Sequence, residues 1–201
     1  MRVAEVLEIR LTIEARWRGG ELERLINADH SLLHELVARL LDGFAPWLRL
    51  PEVSFAIAGE RGVIDILAFH PPTGSLLVIE LKTVIADANR LAAGMDRKLR
   101  LAGRIARERG WEPRTVSAWV VVVDSRSNRR RLAAHRAMLR PAFPQDGHAV
   151  RRWLADPSGV VRALSFLSLA NGSSVSRRHA GVRRVRRAGR GASGTAADRA
   201  A

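Results

Sequence analysis

The chain has no cysteine, and only two of its 34 basic residues are lysines, Lys82 and Lys98. The missing cysteine excludes a disulfide framework, a thiolate metal site and a thiol nucleophile. It fits a reducing compartment. Residues 1–6 carry no apolar signal core, and no apolar run approaches the roughly 20 residues that span a bilayer. A cytoplasmic location with no membrane partner is therefore expected. There is no P-loop, no dinucleotide-binding glycine pattern, no internal repeat and no Ser/His/Asp arrangement.

Positive charge is abundant instead. The formal net charge is +14 over 201 residues. Eight arginines against Asp198 put +7 on residues 173–201, which leaves +7 on residues 1–172. A basic body favours a polyanionic partner. From Asn171 onward Gly, Ser, Ala and Arg dominate with little to bury, so residues 171–201 read as a disordered basic tail beside one domain over 1–170.

Two apolar runs, residues 63–69 and 76–83, flank the turn-forming stretch His70-Pro71-Pro72-Thr73-Gly74-Ser75. They read as a hairpin. A turn centred between Pro72 and Thr73 sets Asp65 opposite Glu80, with Cβ atoms about 5 Å apart and like charges facing each other. Lys82 shares the face of Glu80 because it lies two residues further along the same strand. Burying such charges without compensation is costly. A dication between the carboxylates relieves the repulsion, and oxygen ligands suit Mg²⁺ or Mn²⁺. In a chain that uses Arg almost everywhere, a lysine on a strand points to a task Arg cannot perform. Lys is a compact point charge whose pKa burial can depress, whereas Arg stays protonated and planar.

Asp65 followed by Glu80-Leu81-Lys82 on the next strand resembles the PD-(D/E)XK nuclease superfamily, which includes restriction endonucleases and Holliday-junction resolvases. Ile64 stands where the superfamily name has Pro. The stretch Gly59-Glu60-Arg61-Gly62-Val63-Ile64-Asp65 is also similar to actinobacterial proteins in which such a domain follows a helix-turn-helix regulator module. This chain shows no such module of its own. The resemblance covers residues 20–125 and implies an α/β fold with a restriction-endonuclease-like mixed central sheet flanked by helices, in the order α-β-β-β-α-β. It implies Asp65, Glu80 and Lys82 as catalytic residues. Asp65, Glu80, the Leu81 carbonyl and Glu35 become metal ligands, with DNA as partner and a homodimer as a common assembly.

The rest of the chain supplies the frame. Residues 6–17 alternate apolar and polar, which predicts a half-buried edge strand ended by Gly19-Gly20. Asp29 is the expected N-cap of a helix to about Leu41, with Leu33, Leu36, Val37, Leu40 and Leu41 as its buried stripe. His30 and His34 lack a third ligand and read as surface or capping residues. A loop over 43–51 precedes a strand over 53–58. Arg61, beside the site in sequence, is a candidate phosphate contact or a partner for Glu60. Asp87 caps a helix to about Arg109, stopped by Gly110. Its Arg90, Arg97 and Arg104 recur every seven residues as a basic ridge that can track phosphates. Lys98 interrupts its apolar stripe, as a further candidate DNA contact or a neighbour of the carboxylates. Residues 115–124 read as a strand buried on both faces. A helix over 126–139, a short helix near 149–154 and a strand over 160–169 complete the domain.

Three functions fit these residues: a metal-dependent DNA endonuclease, a non-cleaving DNA-binding or regulatory protein on the same fold, and a structural or protein-interaction module whose hairpin charges form an internal salt-bridge network.

Overall fold

The computed structural model describes residues 20–169. The expected strand over 6–17 and the expected disordered tail over 171–201 lie outside them. The described chain forms α1 (Gly20–Asp42), β1 (Leu48–Ile57), β2 (Glu60–His70), β3 (Ser75–Lys82), α2 (Ala88–Arg107), β4 (Thr115–Val123), α3 (Arg126–Ala134), α4 (Arg136–Ala142), α5 (Gly147–Ala155) and β5 (Arg162–Leu167).

The five strands form one mixed sheet in sequential order. β1, β2 and β3 run antiparallel as two hairpins, and β4 and β5 continue the sheet parallel to β3. Parallel strands need crossovers, and α2 supplies the one between β3 and β4. β4, flanked on both edges, is the Val-rich run; residues 117–122 are buried. Side-chain alternation splits the core into two layers. Leu76 and Val78 of β3 pack with Leu91, Met95 and Ile105 of α2. Leu77, Ile79 and Leu81 face the other way, onto Leu33, Val37 and Leu41 of α1 and onto Val150 and Leu154 of α5. Glu80 and Lys82 therefore project from the α2 face.

Several expected boundaries shift. α1 begins by Gly20 rather than after an N-cap at Asp29, which is an exposed mid-helix residue. Its capping tendency, worth about 1 kcal/mol, yields to a helix anchored by the burial of Leu33 and Val37. His34 is half-buried, and its Nε2 is buried without a hydrogen-bond partner among the described residues. β1 starts at Leu48 rather than 53 and includes Pro51, which an edge strand tolerates. The helix expected over 126–139 breaks at His135 into α3 and α4, and Pro141 lies inside α4 instead of ending it. The cap at Asp87 is as expected: its carboxylate accepts the Arg90 N–H at 3.0 Å.

Candidate active site

The turn between β2 and β3 pairs His70 with Ser75 and Ile66 with Ile79, the register the sequence predicts. Gly74 closes the turn at φ 67°, a left-handed conformation suited to glycine. The described ladder stops at Ile66 and Ile79, although both strands continue. Beyond that point β2 bends away with β1. On β2 both Ile64 and Leu67 pack in the α2 layer, so alternation slips between them. Across the ribbon, between the partners of Ile64 and Ile66, Glu52 holds φ 47°. A left-handed backbone at a residue with a side chain is uncommon and marks a bend.

Asp65 sits at that bend. Its Oδ2 accepts the backbone N–H of Leu81 at 2.6 Å, so a carboxylate stands where the ladder would otherwise provide a carbonyl. In a strand the N–H and C=O of one residue leave by the same edge. The Leu81 carbonyl thus faces the gap that Asp65 occupies. Burial raises the Asp65 pKa above its ordinary value of 3.8 and the nearby Glu80 charge raises it further; the Leu81 N–H, Lys98 and Lys82 oppose both.

Glu80 is the centre of the cluster. Lys82 Nζ lies 2.5 Å from its Oε1, and Lys98 Nζ, reaching from α2, bonds its Oε2. The two lysines of the whole chain thus converge on one carboxylate. The side chains of Glu80 and Lys98 are 10% and 13% exposed, and that of Lys82 is 36% exposed. Asp65, Glu80, Lys82 and Lys98 together carry no net formal charge.

A cleft of about 580 Å³ opens beside Glu80 and Lys82. Arg90 and Arg97 of α2 line it, as do Val84, Ile85 and Ala86 of the loop after β3. That loop is pinned by a residue read from the sequence only as part of a helix cap. Asn128 is fully buried; its Oδ1 accepts the Ile85 N–H at 3.1 Å, and its Nδ2 donates to the Thr83 and Val123 carbonyls at 2.9 and 2.8 Å. Arg131 Nη1 donates to the Ile85 carbonyl. The signal for Asn128 is a lone amide among arginines directly after a buried strand.

The other candidates are dispersed. Glu35 is exposed and paired with Arg39, on the helix that packs against the face opposite Glu80, so it does not join the cluster. Arg61 is exposed on β2, and Glu60 pairs with Arg100 rather than with Arg61. That pairing holds the Glu60 carboxyl below the usual glutamate range. Arg104 pairs with Glu108 on the exposed side of α2. Lys98, expected as a DNA contact or a neighbour of the carboxylates, lies on Glu80.

Among the described residues no three His, Asp or Glu side chains gather as a metal cage. Two carboxylates and one backbone carbonyl are the oxygen donors at hand. They are hard ligands of the type Mg²⁺ or Mn²⁺ takes, leaving the remaining positions for water or phosphate oxygens. Comparison with protein-family models, curated proteins and solved structures finds no match to the chain.

Proposed function

We propose that this protein is a metal-dependent nuclease-like hydrolase of DNA phosphodiester bonds, with a restriction-endonuclease-like core. One observation carries the proposal: the Asp65 carboxylate takes the Leu81 N–H where the β2–β3 ladder ends, and the adjoining Glu80 holds the Lys82 ammonium beside a cleft edged by Arg90 and Arg97. Asp65, Glu80 and the Leu81 carbonyl would hold Mg²⁺ or Mn²⁺. When bound, such a dication lowers the pKa of water and offsets charge on the phosphoryl group. Lys82, the more exposed of the two lysines, is placed to orient the attacking water or to stabilise the negative charge that grows on the phosphate. Lys98 orients the Glu80 carboxylate through its contact with Oε2. Arg90 and Arg97 neutralise flanking phosphates, and their position fixes the strand in register with the carboxylates.

The balanced charge favours a second reading. Both Glu80 oxygens already face an ammonium group, so the site needs no cation to be electrostatically satisfied. A DNA-binding protein that does not cleave fits that balance.

Incubation with plasmid and Mg²⁺ separates the two. Under the nuclease reading, cleavage requires the dication and falls by about 10²-fold or more in Asp65→Ala and in Lys82→Ala. DNA binding without cleavage, unchanged in both variants, selects the second reading. Absence of both binding and cleavage removes both and leaves the salt-bridged module.

A further inference from the structure

A second cavity, larger than the cleft at Glu80, lies elsewhere in the molecule. It has a volume of about 700 Å³ and lies between α3, α4 and α5, over β5. Its floor is apolar: Leu139, Phe143 and Leu164 are buried, and Leu132 and Phe166 are half-buried. Its rim is cationic, with Arg129, Arg136, Arg140 and Arg151 exposed around it.

The walls are built rather than incidental. Asp124 fixes Arg129 through two hydrogen bonds of 2.6 and 2.8 Å, and the guanidinium lies 4.8 Å from the centroid of the Phe166 ring. One side is closed because α5 approaches β5 at Gly147, where an added Cβ would come within 3.1 Å of the Ser165 Cβ. Asp146, the one carboxylate at the rim, is engaged in capping α5 through the Ala149 N–H at 3.0 Å. Among the described residues Arg136, Arg140 and Arg151 form no ion pair. Three uncompensated guanidinium groups thus ring an apolar hollow.

We propose that this cavity binds a small amphipathic anion: an aliphatic or aromatic body on the Leu139–Phe143–Leu164 floor, with one carboxylate or phosphate head held by Arg136, Arg140 and Arg151. The volume falls within the range of small-molecule sites, which are mostly apolar with a few polar groups that fix orientation. Guanidinium is suited to either head group because it binds both bidentately. Both parts are needed. A bare anion leaves the floor wet, and an uncharged apolar molecule leaves the arginines without partners. This site is independent of the Glu80 cleft and does not depend on the nuclease reading.

Calorimetric titration of the full chain tests the proposal with octyl phosphate and octanoate, beside inorganic phosphate and octanol as half-ligands. One or both octyl anions should bind at least about tenfold tighter than either half-ligand, and the tighter of the two identifies the head group. An Arg136→Ala/Arg140→Ala variant should weaken that binding about tenfold or more without changing the weak affinity for octanol. Both arginines are exposed, and an unchanged circular dichroism spectrum checks that the fold persists. The proposal is overturned if neither octyl anion binds, if inorganic phosphate binds as tightly as octyl phosphate, or if the double variant binds as the parent does. Displacement of octyl phosphate by a single-stranded oligonucleotide acting through the same arginines would also overturn it, assigning the cavity to nucleic acid.

Discussion

At the residue scale, the chain reserves lysine for one purpose. Both ammonium groups serve Glu80, and removing that carboxylate leaves two cations facing each other in a site where one of them is nearly buried. Glu80→Gln should cost about 3 kcal/mol in urea unfolding, since breaking a buried ion pair by removing one partner strands the other charge. Adding Lys98→Met should recover much of the loss; equal stability of the single and double variants would refute the coupling. Asp65 makes a pH-dependent contribution. Its carboxyl titrates above 3.8, first because burial disfavours the ion and second because Glu80 is near. An acid whose pKa rises on folding binds its proton more tightly in the native state. Its stabilising contribution is complete below the unfolded value and is lost as pH climbs through the raised native value. Asp65→Asn keeps an oxygen for the Leu81 N–H but cannot ionise. In metal-free buffer the variant should gain stability relative to the parent as pH rises from about 4 to about 7. A constant gap between the two would refute the raised pKa.

At the element scale, the site depends on a loop that contributes few side chains to the core. The segment after β3 is held to the end of β4 by Asn128, whose amide makes three hydrogen bonds to backbone groups. Asn128→Leu strands a buried N–H and two carbonyls. A loss of about 2 kcal/mol is expected, with faster hydrogen exchange at the Ile85 amide; unchanged exchange there would show that Arg131 alone suffices. Asn128 also marks the limit of sequence reading. The hairpin register, the α2 cap at Asp87 and the buried β4 were legible because each rests on a local pattern: turn chemistry, a capping residue, an unbroken Val run. The α1 start was not, because one cap-prone Asp29 competes against burial of a whole helical face. The Glu35 placement failed for a related reason. Periodicity puts a residue beside the apolar stripe of a helix, but only tertiary packing decides which face of the sheet that helix covers. Pro141 misled because a proline near a helix terminus can sit within the last turns once a break upstream has restarted the helix.

At the scale of the whole molecule, charge and sheet topology act together. Residues 1–172 carry half of the +14 formal charge, and the cleft that Glu80 and Lys82 line presents Arg90 and Arg97. If DNA lies along α2, log affinity should fall linearly with log salt concentration, and Arg90→Ala or Arg97→Ala should each reduce that slope by about 1. Slopes identical to the parent would place the polyanion elsewhere. No helix among the described residues is long and apolar enough to cross a membrane. The sheet divides at Ile66 and Ile79: below, β2 and β3 are zipped; above, the strands part, and the described contact that replaces the next rung is the side chain of Asp65 on Leu81. A metal ion or other ligand bound by the Asp65 carboxylate would change the hydrogen bond that its Oδ2 accepts from the Leu81 N–H. The nuclear magnetic resonance signal of that one amide thus becomes a gauge of occupancy, readable without turnover and without knowing beforehand what binds.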